Sequence, residues 1–141
     1  MKALSMIQPW SSLFILGEAH YETRTWRTNY RGIFAIHASK KIDKTAISNE
    51  RINTLLYKYG YIQENLPTGM IIGTCKLMNC LRVLEDNQSS AILEDGRVVS
   101  GNDYFLGDFR VGNYAWEVKE KTLLNTLIPA KGKLGLWEHS I

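Results

Sequence analysis

The order of strand-like and helix-like segments constrains the fold of this chain more than any other sequence feature. Strand-like composition is found in six segments: residues 2–7, 20–26, 33–38, 70–84, 113–120 and 123–128. Apolar residues recur at helical spacing in two segments, residues 8–16 and residues 43–59. The two helical segments do not alternate with strands as they would in a doubly wound sheet. The pattern therefore predicts a mainly β, α+β fold, in which a small and largely antiparallel barrel has helices closing its ends.

Turn-forming residues indicate where several of these segments end. Gly17 is expected to end the first helix, and Asp43 is expected to cap the start of the second. Residues 91–99 fit either a hairpin at Asp95-Gly96 or a short helix. Gly73 indicates a bulge or bend within the strand at residues 70–84. The segment KGKLGLW at residues 131–137 suits a loop that makes close backbone approaches.

Composition places the chain among globular proteins and gives few clues to its partner. We expect one domain over residues 1–141. The net charge of +3 and the pI near 8.9 indicate a mild preference for polyanionic partners. Cys75 and Cys80 are separated by an odd number of positions in a strand, which favours buried free thiols over a disulfide. No signal peptide or membrane-spanning apolar run is apparent, so a cytoplasmic location and no membrane partner are expected.

Basic and aromatic residues are concentrated near the N-terminus. The cluster contains six cations within 21 positions: Arg24, Arg27, Arg31, Lys40, Lys41 and Lys44. Trp10, Trp26 and Tyr30 are interleaved with them, a combination typical of phosphate contacts beside base-stacking platforms. The alternative is that the aromatic rings are core and the cations lie on a solvated face. Full burial of Trp10 and Trp26 would exclude stacking.

The sequence contains few residues arranged for catalysis or metal binding. Glu22 and Arg24 are two positions apart on a strand and share a face, either as a structural ion pair or as an acceptor and donor fork for a base edge. The histidines lack the partners of a zinc site, and a histidine on a strand, such as His37, is more often packed and hydrogen-bonded than catalytic. No serine-hydrolase elbow, phosphate-binding loop or dinucleotide fingerprint is present. We therefore expect neither a metal nor a cofactor.

Most of the chain resembles the ASCH domain family of the PUA-like superfamily. The resemblance is carried by LSMIQPW, GEAHYETRTW, YRGIFAIHASKK, LPTGMIIGTCKL, GDFRVGNYAWEV and IPAKGKLGLWE, in the family's order. It implies a PUA-like small β-barrel and an association with nucleic acids, largely RNA.

The family's motif G-x-K-x-x-E-x-R is only partly present. Gly17, Glu22 and Arg24 match it, but Ala19 stands at the lysine position. Bacterial relatives that hydrolyse the amide of N4-acetylcytidine depend on that lysine and have a threonine where this chain has Glu22. Alanine cannot act as a base or nucleophile, so the departure weighs against amide hydrolysis.

The leading hypothesis is a module that binds single-stranded RNA or a modified nucleotide in a cleft between the N-terminal helix and the barrel. Its expected ligand-binding residues are Gln8, Trp10, Glu22, Arg24, Arg31, Ser39, Lys40, Tyr114, Lys131 and Lys133. The alternative is an enzyme acting on RNA or nucleosides, either a ribonuclease or an amidohydrolase. A third interpretation is a protein-interaction module. The sequence does not specify the base, the choice of RNA over DNA, or the oligomeric state.

Overall fold

A computed structural model describes residues 1–140 and divides them into two compact units made of non-contiguous segments. The first unit comprises Met1–Gly17, Ile33–Cys75 and residues 121–140. The second comprises Glu18–Gly32 and Lys76–Glu120. Strands predominate in the described residues and four short α-helices accompany them, which confirms the predicted mainly β, α+β class.

The strands and helices have the following bounds. The strands are β1 (Lys2–Gln8), β2 (Tyr21–Arg24), β3 (Gly32–Ile42), β4 (Met70–Asp86), β5 (Ser90–Leu93), β6 (Val98–Ser100), β7 (Tyr114–Pro129) and β8 (Leu136–Glu138). The helices are α1 (Trp10–Ile15), α2 (Lys44–Ile47), α3 (Glu50–Tyr57) and α4 (Gly101–Phe105).

Strand β1 lies between β3 and β8 in the first unit. It pairs in parallel with β3, with Ala3 opposite Ala35, and antiparallel with β8, with Ala3 opposite Trp137. These three residues and Ile71 form a buried cluster. The pairing places Ser5 directly opposite His37, and both residues recur in the candidate site. Strand β8 lies at the end of the segment predicted as a loop, so that prediction is wrong for residues 136–137.

The helix predicted over residues 43–59 is two helices. Asp43 caps α2 as expected, and its side chain accepts a hydrogen bond from the Ala46 amide at 3.1 Å. Asn49 starts a new helix, because its side chain accepts from the Ile52 amide at 3.1 Å and its backbone is extended. Asparagine competes well for such capping positions and poorly for helix interiors.

Gly73 allows a close approach within the first unit. A Cβ atom at this position would collide with the side chain of Ile15 and with the carbonyl oxygen of Thr122. The absence of a side chain therefore lets α1 and the second half of β7 pack directly against β4.

The second unit contains three antiparallel pairings that involve β2, β5 and β6. Strand β2 pairs with β7, β5 pairs with β4, and β6 pairs with β5. The hairpin prediction at Asp95-Gly96 holds: Gly96 has φ +89° and its amide donates to the Leu93 carbonyl at 2.8 Å. Helix α4, which follows β6, was not anticipated from the sequence.

The hydrogen-bonded order of the strands is β2-β7-β4-β3-β1-β8; off this path, β5 pairs with β4 and β6 pairs with β5. This order is an open path among the described residues, so closure into a barrel stays a prediction. The two strands predicted at residues 113–120 and 123–128 are one strand, β7. Glu120, at φ +53°, marks the irregular position that the sequence pattern suggested was a break.

Candidate functional site

A groove of about 950 Å³ lies in the first unit. It is lined by Ser5 of β1, by His37, Ser39 and Lys40 of β3, by Gly69, and by residues 129–134, which end β7 and follow it. Four of the predicted ligand residues are among these: Ser39, Lys40, Lys131 and Lys133. None of the lining residues belongs to α1, so this groove is distinct from the cleft predicted beside that helix, which stays a prediction.

A chain of hydrogen bonds fixes one wall of the groove. The Trp137 indole N–H donates to Ser5 Oγ at 3.1 Å, and Ser5 Oγ lies 3.0 Å from His37 Nδ1. His37 Nε2 lies 2.8 Å from the carbonyl oxygen of Ala130. A carbonyl oxygen only accepts, so Nε2 carries the proton, and in the neutral imidazole Nδ1 accepts from the Ser5 hydroxyl. The 2% exposed His37 thus ties β1 and β3 to the residue that precedes Lys131.

The segment after β7 is also fixed through its backbone. The Ala130 amide donates to the Gly69 carbonyl at 3.1 Å. A Cβ atom on Gly132 would lie 2.8 Å from both His37 Cε1 and Ser5 Oγ, closer than atoms of these types normally approach. Only glycine fits here without a shift of the chain, in agreement with the close approach predicted for this segment.

The groove carries three lysines that form no ion pair with any residue in the described range 1–140. Lys40, Lys131 and Lys133 are exposed, and none has an ion pair within 4.0 Å among residues 1–140. The aliphatic part of Lys40 runs alongside Gly69, with Cγ and Cε 3.5 Å from the position a Cβ would take. Unpaired ammonium groups around one concavity favour an anionic ligand.

Leu134 projects from the same segment and is 98% exposed. It follows Lys133 and precedes Gly135, whose φ of +66° allows the chain to turn into β8. The groove therefore combines three cations with an apolar side chain in solvent.

A second group of predicted residues meets on the β2–β7 ladder of the second unit. Arg24 Nη2 donates to Glu22 Oε2 at 2.9 Å, and Arg24 lies directly opposite Tyr114. Directly opposite residues share a face of a sheet, so the three side chains lie on one face. Arg31 lies in the irregular segment before β3, where its Nη1 donates to the carbonyl oxygens of Thr28 and Tyr30.

Burial perturbs the acid of this ion pair. Loss of hydration raises the pKa of Glu22 above its ordinary value, and the Arg24 guanidinium and the Thr23 amide, 3.0 Å away, offset this rise only in part. The carboxyl therefore holds its proton more tightly than an exposed glutamate does.

Gln8 and Trp10 support the start of α1. The buried Gln8 amide donates to Ser12 Oγ at 2.8 Å and to the Pro67 carbonyl at 2.7 Å, and its oxygen accepts from the Ser12 amide at 3.2 Å. The Trp10 indole donates to Asp43 at 3.3 Å. Both side chains are thus engaged within the protein, and a ligand role for them stays a prediction.

The burial of Trp10 and Trp26 does not exclude base stacking. Trp10 and Trp26 are each half-buried, and Trp26 packs edge-on against the buried Trp116 with ring centroids 4.9 Å apart. Neither residue is fully buried, so the condition that would exclude stacking is not met.

Comparison with known proteins decides the family. The model of the ASCH domain matches residues 4–127, most of the chain. The chain belongs to the ASCH domain family. It is similar to Activating signal cointegrator 1 of mouse and of human, with 32% identity over 85 and 81 residues. In each case the match covers 55% of this chain but only 14% of the relative, so the chain spans a small part of these proteins.

The ASCH motif position that differs in this chain is not available to a ligand. Ala19, at the lysine position, is buried in the second unit.

Among residues 1–140, no group of three or more His, Cys, Asp or Glu side chains is placed to hold a metal ion. No helix in this range is long and apolar enough to span a bilayer.

Sequence reasoning missed part of the groove in the first unit. His37 was correctly expected to be packed and hydrogen-bonded, but its link to Ser5 depends on the β1–β3 pairing of residues 32 positions apart. Leu134 was not singled out. The signal that could have identified it is an apolar residue between a lysine and a glycine in a segment with the composition of a loop.

Proposed function

We propose that this ASCH domain protein binds single-stranded RNA or a modified nucleotide through phosphate contacts in the groove of the first unit. The observation that carries the proposal is the set of three lysines around one concavity, Lys40, Lys131 and Lys133, which have no ion-pair partner within residues 1–140. Phosphates are the anions that such groups attract in nucleic acids, and each contact releases a counterion. The family's association with RNA supports RNA as the polyanion.

The remaining predicted residues are proposed ligand contacts with weaker support. Glu22, Arg24 and Tyr114 offer an acceptor, a donor fork and a ring on one face of the β2–β7 ladder, and Arg31 adds an exposed cation. A base edge can use the donor fork if Arg24 exchanges part of its pairing with Glu22 for the ligand. Ser39 lines the groove beside Lys40, and its Oγ is buried without a hydrogen-bond partner among residues 1–140.

We further propose one functional domain over residues 1–141 and a cytoplasmic location. Cys75 and Cys80 are both buried free thiols, as expected for a reducing compartment. Burial raises the pKa of Cys75 to about 12, which keeps it protonated and unreactive at neutral pH.

The test is the salt dependence of binding to short uridine, cytidine and adenosine RNAs and to matched single-stranded DNAs, measured by fluorescence anisotropy. With three phosphate contacts, log affinity should fall by about 2 per log unit of salt, since each contact contributes about 0.7 for a single strand. Lys40→Ala, Lys131→Ala and Lys133→Ala should each reduce the slope by about 0.7.

Lys41→Ala is the matched control. Lys41 is an exposed neighbour of Lys40 on β3 but does not line the groove. Its substitution removes the same charge as Lys40→Ala. It should leave the slope unchanged. Equal effects of Lys40→Ala and Lys41→Ala would show that only net charge matters, and absence of binding to every oligomer would reject the proposed function.

A further inference from the structure

Leu134 is the most exposed large apolar side chain of the described residues. It is 98% exposed, whereas the next, Tyr57, is 63% exposed. A single exposed leucine is common on protein surfaces and by itself needs no explanation. The position of Leu134 is what distinguishes it, because it lines the same groove as Lys40, Lys131 and Lys133.

The segment that carries Leu134 is held in place on both sides. Before it, Ala130 accepts from His37 and donates to the Gly69 carbonyl, and Gly132 packs against Ser5 and His37. After it, Leu136 pairs with β1. The exposed leucine is thus presented at a defined place beside the cations, and its solvation is not a consequence of an unanchored chain.

Resting on the proposed function, we infer that Leu134 contacts a nucleobase of the bound strand while the three lysines contact its phosphates. A cation and an apolar surface in one groove match the two parts of a nucleotide, the phosphate and the flat face of the base. Aliphatic side chains such as leucine contact base faces in other nucleic-acid complexes. In a duplex such a side chain must first unstack the bases, whereas unpaired bases offer their faces without that cost. A single strand is therefore the ligand that fits this groove.

An anionic lipid surface is the other kind of polyanion that binds sites with both cations and apolar side chains. Membrane-binding segments present several apolar residues on one face and lie in the interface. Here one leucine lines a concave groove together with the three lysines, and a flat bilayer does not follow a concave surface. The geometry points to a strand of nucleic acid.

Leu134→Ser tests the inference without a risk to folding, because the side chain makes almost no contact in the free protein. The variant should bind uridine RNA about 5- to 10-fold more weakly, as expected for the loss of partial burial of one leucine. Its salt slope should equal that of the unmodified protein, in contrast to Lys131→Ala. Leu134→Phe, which offers a larger face, should bind more tightly.

Two controls separate a base contact from other effects. Leu123→Ser changes another exposed leucine of the first unit, 43% exposed and outside the groove, and should leave binding unchanged. An oligomer with the same sugar-phosphate backbone but no bases should bind Leu134→Ser and the unmodified protein equally.

The outcomes distinguish the inference from the function on which it rests. If the lysine variants lower the salt slope but Leu134→Ser binds RNA normally, or weakens both oligomers equally, the base contact is rejected and phosphate binding stands. If no oligomer binds, both are rejected. If phosphatidylserine vesicles bind and Leu134→Ser abolishes that binding while RNA binding is unaffected, the occupant is a membrane and the inference is overturned.

Discussion

At the scale of single residues, Glu22 shows how burial and pairing compete. Its carboxylate accepts from Arg24 at 2.9 Å, yet loss of hydration outweighs the pairing and raises its pKa. Glu117, on the neighbouring strand β7, behaves in the opposite way. Burial opposes its ionisation too, but hydrogen bonds from Asn79 and Arg97 outweigh burial and lower its pKa. The two residues therefore give opposite contributions to the pH dependence of stability.

Glu22→Gln should reveal this difference in urea unfolding from pH 4 to 7. An unfolded glutamate has a pKa of about 4.3, so above that pH the folded protein holds a proton at Glu22 that the unfolded chain has released. Stability then falls as pH rises, and the unmodified protein should lose stability relative to Glu22→Gln. Glu117→Gln is the control of opposite sign, since the stabilisation from Glu117 is complete above pH 4.3 and is lost as pH falls. If the unmodified protein instead gained stability relative to Glu22→Gln as pH rises, the pairing with Arg24 would outweigh the burial of Glu22.

At the scale of elements, local patterns predicted the strands well and the interruptions poorly. Composition identified β4 and β7, but Asn49 divides the predicted helix through its capping hydrogen bond, and Glu120 does not end a strand. The groove could not be predicted as a unit. It depends on the parallel pairing of β1 with β3, which joins Ser5 to His37, and periodicity within a segment carries no information about such pairing.

Gly132→Ala tests whether the element after β7 positions the lysines of the groove. The new Cβ would meet His37 and Ser5, which are held by hydrogen bonds, so the segment must shift. Overpacking of this kind typically costs about 1–3 kcal/mol of stability. We expect a lower melting temperature and a salt slope reduced by up to about 1.4, corresponding to loss of the Lys131 and Lys133 contacts. A normal slope in the folded variant would show that the lysines act without this positioning.

At the scale of the whole molecule, the predicted ligand residues are distributed between the two units. Ser39, Lys40, Lys131 and Lys133 line the groove of the first, and the Glu22–Arg24 pair lies in the second. The sequence indicated the residue types that hold a polyanion, because charge and aromatic content are local properties. It could not indicate which cations are left unpaired, since that depends on which carboxylates the fold brings near them.

The absence of the motif lysine predicts that the whole chain does not hydrolyse N4-acetylcytidine. Ala19 offers no base or nucleophile, and a positioned acid–base group typically contributes about 10²–10⁴-fold in rate. Ala19→Lys should not restore the activity, because the position is buried and Glu22 is already paired with Arg24. Release of acetate should be measured by chromatography of the nucleoside products, with a relative that retains the lysine as the positive control. Many turnovers by the unmodified chain would contradict the prediction and favour an enzyme over a binding module.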